Sequence, residues 1–189
     1  MKVIIVGGVA GGASCAARLR RLDEKAEILL LERGPFVSYA NCGLPYYVGG
    51  VIENESSLLV ATKEMFHTQF AIDCRTNSEV IDINATKKTV TIKDRLSGEE
   101  TTETYDKLVL SPGSAPIRPP LPGIELAGVF SVRTVDDAKN IKKWVNKDAL
   151  AGMNEYSSID MLNKPKRAVV IGGGFIGLEM VENFIDLGL

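Results

Sequence analysis

The sequence predicts an α/β protein built on parallel β-sheet. A short apolar run at 2–6 is followed by a glycine-rich turn at 7–12, a stretch with helical spacing at 13–22 and a second apolar run at 27–31. Strand, turn, helix and strand within about 30 residues form a βαβ unit, whose two strands are parallel. The same order begins again at 167–187, with a strand expected at 167–171.

Composition and charge exclude several classes of protein. The 189 residues are 45% hydrophobic and 24% charged, as in ordinary globular domains, and the net charge is −2. That charge gives no reason to expect nucleic acid or a membrane surface as a partner. No apolar run could cross a bilayer and no signal-peptide cleavage site is found, so we expect a cytoplasmic protein. With one histidine and three scattered cysteines, we expect no metal site.

The middle of the chain has a different pattern. Residues 62–72 have helical spacing, and 136–145 predict a further helix with Thr134 as its cap. Alternating and apolar segments between these helices predict a β-meander that leads into a buried strand, at 80–83, 89–93, 100–105 and 107–110.

Prolines mark the expected domain boundary. The segment 112–123 is rich in proline, which excludes helix and central strand, and we expect a crossover there. A first domain is therefore expected at 1–111 and a second at 124–189. Within the second, 146–164 is polar and has no assigned role. Because the second βαβ unit stops after its helix, we expect a fragment of a longer protein that is inactive alone.

Both glycine turns have the spacing of a dinucleotide-binding turn. The first glycine of G-x-G-x-x-G turns the chain, the second admits a pyrophosphate, and the third lets the helix amides face the phosphates. The second turn satisfies this pattern at 172–177, whereas the first has Gly7 and Gly12 with Val9 in the middle. Glu32 stands 20 residues after Gly12 at a strand end, as ribose recognition requires. The alternative is two turns that only tighten strand–helix packing.

Cys42 is the candidate nucleophile because it stands at a predicted loop-to-helix junction, where backbone amides stabilise a thiolate. No second cysteine lies close enough in sequence for a local dithiol. A mixed disulfide, a persulfide and a sulfenic acid therefore remain open. Cys15 shares a helical stripe with Leu19 and Leu22 and is expected to face the core, and Cys74 is also expected to be structural.

The first helix also carries a polar stripe. Ser14, Arg18 and Arg21 stand at positions i, i+4 and i+7, on one helical face. Two guanidiniums and a hydroxyl in this arrangement can bind phosphates. From periodicity alone, a solvated basic face is the simpler interpretation.

Four segments together resemble the single-cysteine branch of the FAD- and NAD(P)-dependent pyridine nucleotide-disulfide oxidoreductases. Within that branch the resemblance is to coenzyme A-disulfide reductases, with NADH oxidases and CoA persulfide reductases as near relatives. The segments are VIIVGGVAGGASCAARLRRLDEKAEILLLERG, SYANCGLPYYVGG, YDKLVLSPGSAPIRPP and AVVIGGGFIGLEMVEN. The resemblance covers nearly the whole chain and implies a Rossmann-like FAD-binding domain followed by the start of a Rossmann-like NAD(P)-binding domain.

The resemblance also implies roles for individual residues. Members of this branch often have valine in the middle of the first turn. FAD would be bound at Gly7, Val9, Ala10, Gly11, Gly12, Glu32, Arg33, Asn41, Val80, Ser111, Pro112 and Gly113. NAD(P)H would be bound at Gly172, Gly174, Phe175, Ile176 and Gly177. Coenzyme A would be bound at Ser14, Arg18, Arg21, Ser38 and Asn41.

The activity that the resemblance implies is NAD(P)H:disulfide oxidoreduction through FAD, with Cys42 as the redox cysteine. A coenzyme A-disulfide reductase would form a CoA–S–S–Cys42 mixed disulfide, and the full-length protein would be a homodimer. An NADH oxidase or peroxidase, with Cys42 as a sulfenic acid, and a CoA persulfide reductase are alternatives within the family. A non-catalytic nucleotide-binding or redox-sensing module is an alternative of another class.

Overall fold

The computed structural model describes residues 1–146 and 165–189, which belong to two compact units. The first unit consists of Met1–Tyr39 and Leu59–Ser114, and the second of Ala40–Leu58 and the described part of Ala115–Leu189. The division at Ser114 falls within the expected crossover, whereas residues 40–58 pack with the second half of the chain. The domain boundaries expected from the sequence stay a prediction.

A four-stranded parallel sheet forms the centre of the first unit, in the order β3-β2-β1-β7. Its strands are β1 (Lys2–Val6), β2 (Glu27–Leu31), β3 (Asp73–Arg75) and β7 (Lys107–Leu110). Helix α1 (Ala10–Leu22) connects β1 to β2 and begins three residues before the expected start. This is the predicted βαβ unit, and the apolar side chains of both strands are buried on its sheet, except Val6, which is partly buried.

Both faces of this sheet are covered within the first unit. On one face, Ala13 and Ala16 of α1 and Phe66 of α3 (Lys63–Phe70) pack on the sheet. On the other face lies a three-stranded antiparallel sheet of β4 (Ser78–Asn84), β5 (Thr89–Asp94) and β6 (Glu100–Thr104). Val90 and Ile92 of β5 pack against the central strands. The β-meander predicted from the sequence is therefore confirmed.

Strand β7 is less buried than expected. Leu110 is 58% exposed, and Leu108 and Val109 at the centre of the strand are only partly buried. Among the described residues β7 pairs only with β1, in parallel register. It therefore lies at the edge of the sheet, which is why the expectation of a buried strand was wrong.

The second unit is helical in its described part. A 3-10 helix (Asn41–Gly43) leads directly into α2 (Leu44–Gly49), and a further 3-10 helix follows at Glu55–Leu58. After the crossover come α4 (Val135–Val145) and α5 (Phe175–Asp186). Thr134 caps α4 as predicted, since its hydroxyl accepts from the Asp137 amide while the Asp137 carboxylate accepts from the Thr134 amide.

The strand predicted at 167–171 is not formed. These residues have no regular structure, and Val169 and Ile171 are 86% and 91% exposed. A strand needs hydrogen bonds from a neighbouring strand, and none of the described residues pairs with this segment. Most of the polar segment predicted at 146–164 lies outside the described residues. Across the described ranges, no helix has the length and apolar character needed to cross a membrane.

A charged cluster links the two sheets of the first unit. Glu103 of β6 accepts hydrogen bonds from Lys2 of β1 at 2.7 Å and from Arg75 of β3 at 2.9 Å. Lys2 also pairs with Glu27, and Arg75 with Asp73. The hydrogen bonds from Lys2 and Arg75 hold the pKa of Glu103 below its ordinary value, and the bond to Glu103 raises the pKa of Lys2. The cluster therefore favours the ionised form of Glu103.

Replacing Glu103 with glutamine should make the stability of the fold less dependent on pH. A carboxyl whose pKa is lowered by folding stabilises the protein above its unfolded pKa, and this contribution is lost as pH falls through the lower folded pKa. We expect Glu103→Gln to lower the free energy of unfolding by about 1–2 kcal/mol at neutral pH. The difference from wild type should shrink below pH 4.5, the ordinary pKa of the group. Urea unfolding across a pH series measures this, and a difference that is independent of pH would contradict it.

Candidate functional site

The first glycine turn brings three backbone segments into direct contact. Gly7 has a φ of +97°, a conformation that favours glycine, and an added Cβ there would overlap the carbonyl oxygen of Ser111. An added Cβ on Gly12 would overlap the carbonyl oxygen of Gly7. Helix α1 therefore packs against the turn with no room for a side chain. The amides at the start of α1 have no side-chain cap, and Ala10 and Gly11 are exposed.

Glu32 is held beside this turn by two backbone amides. It directly follows β2 and is 9% exposed. One carboxylate oxygen accepts from the Gly8 amide and the other from the Gly34 amide, both at 2.8 Å. Each carboxylate oxygen has further lone pairs that can accept from a hydroxyl group. The contact between Glu32 and Gly34 was not predicted from the sequence, although the glycine two residues after Glu32 is a signal for it.

Two later segments meet the same turn. The Ser111 amide donates to the Val6 carbonyl at 2.7 Å, and a Cβ on Gly11 would lie 3.2 Å from the Ser111 hydroxyl. The Ser38 amide donates to the Gly8 carbonyl at 2.9 Å, with Ser38 at a φ of +47°. The structure therefore brings the first turn, Glu32, Ser38 and Ser111 together.

Other predicted cofactor residues lie elsewhere in the first unit. Val80 is on β4 and packs against the cluster that contains Val90 and Ile92. Arg33 is exposed, and its carbonyl accepts from the Arg95 guanidinium at 3.3 Å. After Ser111, Pro112 is exposed and Gly113 has a φ of +68°. The uncapped helix start, the glycine cradle and the fixed carboxylate fit a dinucleotide.

The polar face of α1 is distinguished by its free cations. Ser14, Arg18 and Arg21 are exposed, and across 1–146 and 165–189 neither guanidinium of this face has a hydrogen bond or an ion pair. Arg20 is different, because it donates to the carbonyls of Phe70 at 2.7 Å and Ala71 at 2.8 Å. Arg20 is therefore structural, whereas Arg18 and Arg21 are available to an anion.

Cys42 is the exposed member of three free thiols. It lies in the 3-10 helix before α2, beside exposed Asn41, so the predicted loop-to-helix junction is confirmed. Cys15 and Cys74 are partly buried against the core of the first unit. Leu22, however, is 67% exposed, because the buried part of α1 ends before its last turn. The predicted apolar stripe therefore does not reach Leu22.

Limited alkylation should modify Cys42 before the other cysteines. Burial and the neighbouring Asp73 carboxylate raise the pKa of Cys74 to about 12, so at neutral pH almost none of it is thiolate. Cys15 is shielded by its packing. We expect peptide mapping by mass spectrometry, after a substoichiometric dose of iodoacetamide, to find the label mainly on Cys42. Earlier labelling of Cys15 or Cys74 would contradict this ranking.

The second glycine turn repeats the close approach of the first. Gly172 has a φ of +111°, and a Cβ on Gly177 would overlap the Gly172 carbonyl oxygen. Gly174 is the N-cap of α5 and provides no side-chain cap. Phe175 and Ile176 are 87% and 56% exposed. The second turn thus has the backbone conformation of a dinucleotide-binding turn, but among the described residues no strand directly precedes it.

Comparison with known proteins finds the family that the sequence resembles. The family model for pyridine nucleotide-disulphide oxidoreductases matches residues 1–189. Coenzyme A disulfide reductase from Staphylococcus aureus (strain JH9) is 37% identical over 188 residues, which cover 100% of this chain and 39% of that protein. The chain therefore spans well under half the length of this relative.

Solved structures show the same fold. Reduced CoADR-RHD from Bacillus anthracis is 49% identical with a TM-score of 0.88, over 100% of this chain and 31% of that one. An NAD-dependent persulfide reductase from A. fulgidus is 35% identical with a TM-score of 0.86, over 100% of this chain and 32% of that one.

Proposed function

The chain belongs to the pyridine nucleotide-disulphide oxidoreductase family, and from this premise we propose that it forms part of an FAD- and NAD(P)H-dependent coenzyme A-disulfide reductase. The observation that carries the choice of substrate is the pair of cations on α1. Arg18 and Arg21 are exposed on one face of α1 and have no hydrogen bond or ion pair among the described residues, so both guanidiniums are available to the phosphates of coenzyme A.

The cofactors would be held by the two glycine turns. The first turn, at 7–12, would accept the FAD pyrophosphate on the free amides of α1, and Glu32 would accept hydrogen bonds from a ribose. The second turn, at 172–177, would hold NAD(P)H. FAD, when bound, supplies the two electrons that it receives as a hydride from NAD(P)H.

Coenzyme A suits the polar face of α1 because it carries a diphosphate and a ribose phosphate. Guanidiniums bind such groups through paired, charge-assisted hydrogen bonds. We assign the phosphates to Arg18 and Arg21, with Ser14 and Ser38 as hydrogen-bonding neighbours. Asn41 stands beside Cys42 in the sequence and would hold the end of the ligand that carries sulfur.

Cys42 would perform the covalent step. Its thiolate attacks one sulfur of CoA disulfide, the S–S bond of the substrate breaks, and one CoA thiolate leaves and takes up a proton. The CoA–S–S–Cys42 bond then requires two electrons and one further proton to release the second CoA thiol and restore the Cys42 thiolate. Exposure of Cys42 gives the substrate access to this sulfur.

A persulfide reductase is the second candidate, favoured by the 35% identity to the enzyme from A. fulgidus. In that reaction the released product would be sulfide together with one CoA thiol. An oxidase, with Cys42 as a sulfenic acid, would consume oxygen or peroxide instead. Product analysis with CoA disulfide, CoA persulfide and oxygen as separate acceptors distinguishes these candidates. A module without turnover would reduce none of them.

Replacing both free arginines should weaken the use of CoA disulfide. Each charge-assisted hydrogen bond to a phosphate is worth about 1.5–3 kcal/mol, so we expect Arg18→Ala/Arg21→Ala to raise KM at least tenfold, with a smaller change in kcat. Lys25→Ala removes an exposed cation outside α1 and is the matched control. The KM for a small disulfide without phosphates should not change. An unchanged KM for CoA disulfide in the double variant would contradict the assignment.

We propose a cytoplasmic location for this reductase, because all three cysteines are free thiols, as is usual in a reducing compartment.

The homodimer implied by the family resemblance stays a prediction, and size-exclusion chromatography with light scattering on the complete protein measures it.

A further inference from the structure

Helix α2 is held by α4 within the second unit. The Lys142 ammonium donates to the Glu53 carbonyl at 3.2 Å, and it lies 3.9 Å from the centroid of the Tyr47 ring. Lys139 pairs with Glu55 at 2.6 Å, just beyond the end of α2. A cation over an aromatic face is attracted to it, and the carbonyl bond fixes the direction of the ammonium. These contacts hold the C-terminal end of α2 and the segment that follows it.

On α5, Asn183 meets α2 at Gly49. Asn183 is 1% exposed, and its Nδ2 donates to the Glu179 carbonyl at 2.8 Å. Its Oδ1 is buried and has no hydrogen bond to any described residue. A Cβ added to Gly49 would overlap this oxygen and would lie 2.8 Å from the Asn183 Cβ. The asparagine side chain thus occupies the space that the glycine leaves open.

An asparagine at position 183 makes the folded protein less stable than an apolar side chain would. A buried polar oxygen without a hydrogen bond carries a desolvation cost that an apolar side chain of similar size would avoid. Gly49 is the last residue of α2, and the absence of a side chain there leaves the space that Asn183 fills. A buried asparagine with an unsatisfied oxygen, fitted against a glycine, therefore indicates a requirement for one particular arrangement of the two helices.

Both helices adjoin candidate functional residues. Cys42 lies seven positions before Gly49, in the 3-10 helix that continues directly into α2. Asn183 is in the last turn of α5, which begins at the second glycine turn. Because α2 is a single short helix, a shift at Gly49 is carried to its other end. The rate at which a thiol is alkylated depends on its thiolate character and on access to its sulfur, and both depend on where the 3-10 helix places Cys42.

We propose that Asn183 is a positioning residue for Cys42 and acts through its contact with Gly49 on helix α2. The role of Cys42 as the redox cysteine rests on the proposed reductase activity. The contact determines how far α2 approaches α5 and hence where the thiol is presented.

The test changes the two sides of this contact, separately and together, in the complete, cofactor-bound protein. The variants are Gly49→Ala, Asn183→Gly and the two together, with Asn140→Gly on the exposed side of α4 as the matched control. The measurement is the rate of Cys42 alkylation by iodoacetamide across a pH series, with Cys74 as an internal reference for loosening of the fold. Alkylation needs neither CoA nor turnover, so failure of this proposal is distinguishable from failure of the proposed activity.

We expect Gly49→Ala to slow alkylation of Cys42 about tenfold and Asn183→Gly to slow it several-fold, because a displaced α2 changes access to the thiol. The double variant, in which the new Cβ at position 49 no longer meets an asparagine side chain, should return to within about threefold of wild type, and Asn140→Gly should have no effect. If Gly49→Ala does not fold, the alkylation rate of Cys42 in Asn183→Gly is compared with that in Asn140→Gly, and this comparison decides the question. Cys42 rates within twofold of wild type in every folded variant would overturn the proposal. So would a double variant no faster than Gly49→Ala, or Cys74 labelling that changes in parallel.

Discussion

Replacing Gly12 with valine will abolish flavin binding by the complete protein. A Cβ at this position would overlap the Gly7 carbonyl oxygen, so α1 must move away from the turn. That movement withdraws the helix amides from the pyrophosphate, and the close packing of helix on strand is lost. The flavin content of purified protein, read from its visible absorbance, measures the effect.

A matched variant separates this effect from a general intolerance of glycine replacement. Gly173→Ala in the second turn introduces a Cβ with no atom within 4 Å, and it should keep the flavin. Glu32→Ala should weaken FAD binding by about 1–3 kcal/mol, because a hydrogen bond to a charged group is lost. Unchanged flavin content in Gly12→Val would mean that the first turn has only a structural role.

Replacing Cys42 with serine will abolish reduction of CoA disulfide and leave reduction of the flavin by NAD(P)H intact. A hydroxyl cannot form the mixed disulfide, whereas hydride transfer to the flavin does not use the thiol. Stopped-flow bleaching of the flavin under anaerobic conditions measures the first half of the reaction, and thiol release from CoA disulfide measures the second.

Cys15→Ala is the control for this variant. Cys15 is partly buried against the core, so its loss should reduce stability slightly and leave both half-reactions in place. If Cys42→Ser still released CoA thiol at a rate near that of wild type, the redox centre would have to lie elsewhere.

Much of the fold could be predicted because its signals are local. Val3, Ile4 and Ile5 form an apolar run followed by glycines, and this pattern predicts a buried strand and a tight turn from neighbouring residues alone. The Thr134 cap is equally local, since the residue that completes it stands three positions later.

Other features depend on partners far away in sequence. A strand at 167–171 needs a neighbour with which to share hydrogen bonds, and an apolar run does not reveal whether one is present. Arg18, Arg20 and Arg21 cannot be distinguished in the sequence. Only the tertiary structure shows that the Arg20 guanidinium donates hydrogen bonds to the carbonyls of Phe70 and Ala71.

The contact between Gly49 and Asn183 joins positions 134 residues apart (183 − 49). A glycine near a helix end and an asparagine in an apolar helix are both ordinary on their own. Their fit becomes visible only when α2 and α5 pack together. Contacts between distant segments were therefore the part of the candidate site that sequence analysis could not supply.

The most direct test of the proposed reaction is the covalent intermediate itself. The complete protein, reduced and then freed of reductant, is mixed with a small excess of CoA disulfide, and its peptides are mapped by mass spectrometry without reduction. We predict one CoA adduct per chain, on the peptide that contains Cys42, and its loss when NADH or NADPH is added to the flavin-bound protein. An adduct on Cys15 or Cys74, or no adduct on Cys42, would contradict the proposal.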